Sequence, residues 1–310
     1  MRFRLPTSVD LHAIARSALL HRPVTGVIGL LLLGVAVGWT SLAPSHERLW
    51  RTEQRLLPRA TFDGRQVTIH GVRDFRWGPG TEMRPAWTER TYDLDGLSSV
   101  WYVLTPFSRD RRGPAHAFVS FGFDDGRFLA ISVEARREAG EEYSIVRGLF
   151  KSYEIMYVVG DERDLIQQRV VRDDDVYVYP VRASREQIRS LFIDMLRRAN
   201  RLHEHPEFYG TLRNNCTTNL LGHVNGIARR PIRYGLRVLL PGYSDEVAFE
   251  RGLIDTDLPL DSARQRFLVN PHALGADGRV DYSLVIRRLP ASSGALSRSL
   301  PAMSAPASMP

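Results

Sequence analysis

Cysteine is nearly absent from this chain of 310 residues, which contains only Cys216. A single cysteine excludes an internal disulfide and any metal site built from several thiolates. His203 and His205, the two histidines closest in sequence, lie too near Pro206 to act as an i, i+4 pair of ligands. The sequence therefore predicts neither a metal site nor a cofactor.

Lysine is also scarce, because Lys151 is the only one, and the net charge of +7 is carried almost wholly by arginine. The planar guanidinium binds phosphate and carboxylate as a fork, so the anionic headgroups of membrane lipids are the expected partners. The arginines are spread along the chain without a nucleic-acid-binding motif. Nucleic acid is therefore not an expected partner, and the sequence indicates no oligomeric state.

Charge is missing altogether from residues 24–43, a run long enough to span a bilayer core. This run predicts a single transmembrane anchor, with a cleaved signal peptide as the alternative. Arginines flank it almost equally on both sides, so charge does not orient it. A short N-terminal tail usually stays inside, which places the large domain outside the membrane.

The remaining chain predicts an α+β domain, an antiparallel sheet packed with helices. Strands are expected at 66–72, 98–104, 153–159, 176–181 and 282–289. Ser184 and Gln187 form a capping box before a helix that ends ahead of Pro206. The acidic run 173–175 indicates a solvated turn, with a metal role as the alternative. The predicted organisation is a tail (1–23), an anchor (24–43), a connector (44–61), a catalytic domain (62–289) and a disordered tail (290–310).

A hairpin is predicted at residues 115–135, where two apolar runs flank Asp124, Asp125 and Gly126. If those three residues form the loop, partner numbers sum to 250 and His116 lies opposite Glu134. One face is then wholly apolar, from Ala117 to Val133. The other face, which carries His116, Ser132 and Glu134, is expected to form the floor of a site.

A short helix is predicted to begin at Cys216, because Asn214 and Asn215 are good N-cap residues. Leu220 and Val224 share a helical face with Cys216. A thiol in a first helical turn is expected to have a lowered pKa, which suits a nucleophile. The alternative is a buried, unreactive cysteine that serves as a small apolar residue.

Together these residues suggest thiol catalysis, with Cys216 as nucleophile, His116 as base and Glu134 fixing the imidazole tautomer. The pair is expected to rest as thiolate and imidazolium. Asn215, Thr217 and Ser132 are the candidates for binding the oxyanion or for positioning. The hypothesis requires the thiol to lie within reach of the imidazole.

The order of a histidine strand, a polar partner on the next strand and an Asn-Cys helix is similar to that of circularly permuted papain-like thiol enzymes. Several stretches resemble the bacterial family named for the Lnb N-terminal periplasmic domain. They are Tyr-Asp-Leu-Asp at 92–95, Ala-His-Ala-Phe-Val-Ser-Phe-Gly-Phe at 115–123, Ile-Ser-Val-Glu-Ala-Arg-Arg at 131–137, Val-Gly-Asp-Glu-Arg-Asp at 159–164, Phe-Tyr at 208–209, Asn-Asn-Cys-Thr-Thr at 214–218 and Pro-Gly-Tyr-Ser-Asp at 241–245. The resemblance implies a membrane-attached periplasmic acyltransferase that acts on lipoproteins, with Cys216 matching the nucleophile and His116 the base.

The leading hypothesis is accordingly a thiol acyltransferase or hydrolase acting on lipid or lipoprotein esters. A murein peptidase or amidase is the first alternative, and a membrane-tethered binding module without catalysis is the second. An apolar groove at the site favours lipid, whereas an open polar cleft favours a glycan-linked peptide. A buried Cys216 far from His116 favours the binding module.

Overall fold

The computed structural model describes residues 27, 29–31, 33–34, 37–78, 82–108, 113–276 and 278–288. The chain divides into two compact units between Pro44 and Ser45. In the first, the described residues up to Ser41 are helical, while residues 24–26, 28, 32 and 35–36 of the predicted anchor lie outside the described ones. Among the described residues, no helix has both the length and the apolar character needed to cross a membrane. The predicted tails 1–23 and 290–310 also lie outside the described residues.

The strands of the second unit begin directly after a turn of 3₁₀-helix at Thr52–Gln54. They are β1 (Arg59–Asp63), β2 (Gln66–Arg73), β3 (Arg76–Trp77), β4 (Met83–Arg84), β5 (Trp87–Asp93), β6 (Leu97–Pro106), β7 (Ala115–Phe123), β8 (Phe128–Arg136), β9 (Glu154–Asp161) and β10 (Tyr177–Pro180).

Eight of these strands form one sheet in the order β1-β2-β9-β8-β7-β6-β10, with β5 paired to β2 beside this path. The pairing of β2 with β9 is parallel, so the prediction of a purely antiparallel sheet was wrong in this respect. The other pairs of this sheet are antiparallel. The two short strands β3 and β4 pair only with each other among the described residues.

The β7–β8 hairpin has the predicted register. Its pairs run from Gly122–Phe128 to Phe118–Ser132, and each pair sums to 250. The Phe123 amide donates to the Arg127 carbonyl at 3.0 Å, which closes the three-residue loop. Gly126 in this loop has a φ of 82°, a conformation that glycine adopts without steric cost.

Helices follow the last strands and flank the sheet. The long helix Arg185–Glu204 carries the predicted capping box of Ser184 and Gln187, and the Cys216 helix covers Cys216–Ile227. The other described helices are Glu162–Val170, Leu236–Leu239, Ser244–Glu250, Leu260–Phe267, Asn270–Ala273 and Tyr282–Arg287, with 3₁₀ turns at Leu94–Gly96, Arg147–Leu149 and Pro241–Tyr243. The strand predicted at 282–289 was therefore wrong, since residues 282–287 are helical.

Each face of the sheet has its own apolar core. The first contains Val119 and Ile131 and is covered by the long helix and the Cys216 helix. The second contains Phe118 and Ala130 and is covered by helices that include Glu162–Val170 and Tyr282–Arg287. The face expected to be the floor of a site is thus mostly core, because a sheet buried on both sides needs apolar residues on both.

Candidate active site

The start of the Cys216 helix is held by the predicted cap. The side-chain oxygen of Asn215 accepts from the Thr218 amide at 2.9 Å, and the Thr218 hydroxyl accepts from the Asn215 amide at 2.9 Å. The Asn215 side-chain nitrogen donates to the Thr211 carbonyl. These bonds give Asn215 a positioning role at the start of the helix.

The neighbouring Asn214 links the same turn to the chain that precedes it. Its side-chain nitrogen donates to the Phe208 carbonyl at 2.9 Å, and its oxygen accepts from Asn219 at 2.8 Å. Asn219 lies one turn into the helix. Each of the two asparagines of the Asn-Asn-Cys motif therefore ties the chain before Cys216 to the first turn of its helix.

Cys216 and His116 come from opposite faces of the sheet. Cys216 belongs to the first core together with Ala117, whereas the side chain of His116 points the other way, as alternation along a strand requires. The described β7–β8 pairing ends at Phe118–Ser132. Beyond it, His116 is paired with β6 and Glu134 with β9. The two strands therefore separate at this end of the hairpin.

A cavity of about 390 Å³ opens at this separation, and both Cys216 and His116 line it, together with Glu134 and Thr217. Cys216 and His116 are each 8% exposed. Among the described residues, no hydrogen bond joins the thiol to the imidazole; the hydroxyl of Thr217 lies 3.7 Å from Sγ. The sheet thus places the two predicted reactive groups around one cavity without linking them at rest.

His116 is connected to Glu134 through Ser132. Nε2 of His116 lies 2.7 Å from the Ser132 hydroxyl, which donates to Oε1 of Glu134 at 3.1 Å. The direct distance from Nε2 to Oε1 is 4.0 Å. Ser132 therefore acts as the intermediate between imidazole and carboxylate, a positioning role and not an oxyanion-binding one.

This arrangement determines the imidazole tautomer. A carboxylate only accepts hydrogen bonds, so the single hydroxyl proton of Ser132 is directed to Glu134. The hydroxyl must then accept from His116, which places the imidazole proton on Nε2. Nδ1 carries the lone pair and has no hydrogen-bond partner among the described residues. The nitrogen that can act as a base is therefore the uncommitted one.

The charge state at rest differs from the prediction. Burial raises the pKa of the Cys216 thiol, although hydrogen bonds from the Thr217 hydroxyl and from the amides of Ala117 and Thr217 act in the opposite direction. Burial, aided by the positive Arg169, lowers the pKa of His116 to about 3. The expectations of a lowered thiol pKa and of a resting thiolate–imidazolium pair were therefore wrong. Loss of hydration outweighs the helix terminus, and both groups rest neutral.

Glu134 remains ionised in the same surroundings. Burial alone raises the pKa of its carboxyl, but Arg73, Arg169 and Gln54 act in the opposite direction. His116 adds to them once it is protonated, so the pKa of Glu134 is about 2. Arg169 lies 3.7 Å from Oε1, and the side-chain nitrogen of Gln54 donates to Oε2 at 3.2 Å. A fixed negative charge thus stands beside the imidazole, ready to stabilise it when it takes up a proton.

Gln54 and Arg169 were not predicted as site residues. Gln54 lies in the stretch 44–61 predicted as a connector, yet it is only 1% exposed and contacts the end of β8. Arg169 lies on the helix Glu162–Val170, which begins after the N-cap Asp161. That Asp, followed by acidic residues in the first turn, is the sequence signal by which this helix is recognisable. The contacts of Gln54 have no comparable local signal.

The mouth of the cavity combines positive charge with exposed apolar side chains. Arg137, Arg169 and Arg172 line the cavity. Phe107, Leu212 and Leu240 also line it, and they are 53%, 50% and 37% exposed. Leu240 lies directly before the Pro-Gly-Tyr-Ser-Asp stretch at 241–245. Large apolar side chains left in solvent around a cavity indicate a surface that meets an apolar partner.

Comparison with known proteins gives one result that bears on this site. Residues 83–242 match the Lnb N-terminal periplasmic domain, a match that includes His116, Ser132, Glu134 and Cys216. No curated protein and no solved structure matches the chain. The permuted papain-like architecture therefore stays a prediction. Since the match covers just over half of the 310 residues, the chain belongs to the family of the Lnb N-terminal periplasmic domain.

Proposed function

We propose that this protein is a periplasmic thiol acyltransferase or hydrolase that acts on acyl esters of membrane lipids or lipoproteins. The observation that carries the proposal is the cavity shared by Cys216 and His116, with the imidazole oriented through Ser132 by Glu134. A nucleophile, a base and a group that orients the base are the three parts of thiol catalysis. Residues 24–43 serve as the anchor that keeps this unit at the inner membrane.

The first chemical step transfers the thiol proton to the base. As Sγ of Cys216 attacks the ester carbonyl, its proton passes to Nδ1 of His116, and the carbonyl oxygen becomes an oxyanion. Because both groups rest neutral, the proton moves during the attack, so His116 acts as a general base. The amide of Thr217, which already faces the thiol, is a donor available to the oxyanion.

The second step releases the alcohol and leaves the acyl group on sulfur. The tetrahedral intermediate collapses, the carbon–oxygen bond of the ester breaks, and the leaving alcohol takes the proton from His116. An amine, a hydroxyl group or water then attacks the thioester carbonyl and gives its proton to His116. The carbon–sulfur bond breaks, and the imidazolium returns the proton to sulfur, which restores the Cys216 thiol. Glu134 stabilises the imidazolium that exists between these transfers.

The surroundings of the cavity favour a lipid ester over a murein peptide. Phe107, Leu212 and Leu240 present apolar surface to solvent at the mouth. Arginines inside the mouth suit the phosphate of a lipid headgroup, which a guanidinium binds through two parallel hydrogen bonds. A glycan-linked peptide is polar along its length and makes no use of that apolar rim.

A second candidate function is a membrane-tethered binding module that uses the same cavity without catalysis. The raised pKa of Cys216 and the absence of a hydrogen bond to His116 in the described structure favour it. Such a module binds lipid but forms no bond to sulfur. The two functions therefore differ in whether a covalent adduct appears on Cys216.

Intact-mass spectrometry of the full chain tests this difference. The protein is incubated in detergent with a phospholipid, a diacylated lipopeptide or a muropeptide, and quenched in acid, where thioesters survive. We expect a mass increase of one acyl group from a lipid substrate, removed by hydroxylamine and absent in Cys216→Ala. Retained turnover in Cys216→Ala, or no adduct with any lipid under conditions where lipid binds, contradicts the enzyme. An adduct from the muropeptide alone contradicts the lipid substrate class.

A further inference from the structure

A second cavity, of about 150 Å³, lies on the first face of the sheet behind the Cys216 helix. Its walls come from β6 and β7, from the long helix and the Cys216 helix, and from residues 238–254. The side chains that line it are almost all aliphatic, including Val119, Leu191, Leu220, Val224 and Ile254. We refer to it as the apolar cavity, and to the one shared by Cys216 and His116 as the thiol cavity.

The polar groups of the apolar cavity are already hydrogen-bonded to one another. The Tyr102 hydroxyl lies 2.5 Å from that of Ser244, and the side-chain nitrogen of Gln187 donates to the Ile227 carbonyl. Arg182 is the only charged residue among the described lining residues, and its guanidinium pairs with exposed Asp255 at 3.0 Å. The interior therefore offers hydrocarbon contact and little hydrogen bonding.

The apolar cavity begins one residue from the nucleophile. Thr217 lines both cavities. Ala117 lines the apolar cavity and belongs to the same apolar core as Cys216. An acyl group attached to Sγ thus has its carbonyl at the thiol cavity, while the space next to it on the Ala117 side is hydrocarbon-lined.

We propose that the apolar cavity holds the hydrocarbon chain of the acyl group carried by Cys216 and thereby sets the chain length that the site accepts. This inference rests on the proposed function. An apolar cavity of about 150 Å³ stays dry and takes up a six-carbon apolar ligand such as benzene in other proteins. The free volume here therefore accommodates about the first six carbons of a chain, and Val224 and Ala248 stand on opposing helices around it.

A series of p-nitrophenyl esters with acyl chains of increasing length tests the proposal on the full chain. For the wild type, kcat/KM for acylation should rise about threefold to fourfold with each methylene up to roughly six carbons. Val224→Phe and Ala248→Phe fill the apolar cavity from its two sides. Each should leave kcat/KM for the acetyl ester nearly unchanged and lower kcat/KM for the octanoyl ester by about tenfold or more. If the phenylalanine variants fold poorly, Val224→Ile and Ala248→Val replace them. These milder variants should give smaller, graded losses of kcat/KM for the octanoyl ester.

The matched control is Gly222→Ala on the Cys216 helix, where an added Cβ meets nothing within 4 Å. It should leave the dependence on chain length unchanged. If the filling variants stay folded and lose acetyl and octanoyl turnover equally, or lose neither, the apolar cavity is not the acyl site, while acylation of Cys216 still stands. If the wild type forms no acyl-enzyme with any ester, the proposed function fails, and this inference falls with it.

Discussion

Two buried histidines with acidic partners occupy different surroundings in this protein. His116 and His223 are 8% and 6% exposed. His223 bonds Tyr157 through Nε2 at 2.5 Å and Asp194 through Nδ1 at 2.6 Å. His116 bonds Ser132 through Nε2, while its Nδ1 has no partner in the described structure. His223 lines neither cavity, so burial beside a carboxylate does not by itself indicate catalysis.

The comparison shows that an uncommitted ring nitrogen distinguishes a base from a structural histidine. His223 lies on the same helix as Cys216, two turns further on, but both of its nitrogens are used to hold that helix against the sheet and the long helix. His116 has one nitrogen oriented by a relay and the other available at the thiol cavity. Substitutions of His116, of Glu134 and Ser132 beside it, and of His223 should therefore change turnover by different amounts.

The largest difference is expected between His116→Ala and His223→Phe. Loss of the base should lower ester turnover by about 10²–10⁴, the usual contribution of general base catalysis. His223→Phe should leave turnover per folded molecule nearly unchanged and lower the free energy of unfolding by about 1–3 kcal/mol, because the hydrogen bonds of His223 to Tyr157 and Asp194 are both lost. Turnover and urea melts on the same preparations measure both. If folded His223→Phe loses as much turnover as His116→Ala, the distinction between a base and a structural histidine is wrong.

Glu134→Gln should have the next largest effect, about tenfold to a hundredfold on turnover and less than removal of the base itself. The amide keeps the shape of the carboxylate and still accepts from Ser132, but it no longer stabilises the imidazolium. The pH–rate profile distinguishes this role from a structural one, since the ionisation of the base should move to lower pH. A profile identical to that of the wild type with unchanged turnover shows that Glu134 only fills space.

Ser132→Ala should have a smaller effect, about tenfold or less on turnover, because the imidazole loses its link to Glu134 while both groups remain. Ser120 offers a matched control, because it lies on the face of the β7–β8 hairpin that also carries Ser132. It is fully buried, and its hydroxyl has no hydrogen-bond partner in the described structure. Ser120→Ala should therefore leave turnover unchanged. Equal effects of the two substitutions indicate that only packing is involved at Ser132.

The local patterns of this chain predicted more of the fold than of the site's electrostatics. The hairpin register followed from one turn and strict alternation, and the caps of the long helix and the Cys216 helix followed from Ser184 and Asn215. The parallel pairing of β2 with β9 depends on contacts between residues far apart in sequence, which no local pattern encodes. The same reason applies to Gln54, which reaches Glu134 across 80 positions of the chain.

The structure brings Cys216, His116 and Glu134 to one cavity, as expected from the sequence, but the charge states of Cys216 and His116 differ from the prediction. A helix start stabilises a thiolate, and that local argument led to a lowered pKa for Cys216. Burial in the first core, which depends on the whole sheet, acts more strongly and in the opposite direction. Ser132 was predicted near the site, but its place between His116 and Glu134 follows from side-chain conformations that alternation along a strand does not determine.

The last expected effect concerns stability in acid and not turnover. The pKa of His116 is lowered to about 3 in the folded protein, against 6.5 when it is unfolded. The unfolded chain therefore takes up a proton as pH falls through 6.5 while the folded protein does not, and stability decreases, by at most about 1.4 kcal/mol per pH unit from this group. Glu134, with a pKa of about 2 against 4.5, adds to this loss only below pH 4.5.

Urea melts between pH 6.5 and 4.5 therefore isolate the histidines from Glu134. His116→Gln should flatten the loss of stability across this window. His223→Gln should flatten it less, because Asp194 raises the pKa of His223 and so opposes part of the lowering caused by burial. A larger effect at His223 than at His116 indicates that His116 is already hydrated in solution. In that case burial would not be what keeps Nδ1 unprotonated. The two histidines would then differ only in their hydrogen bonds.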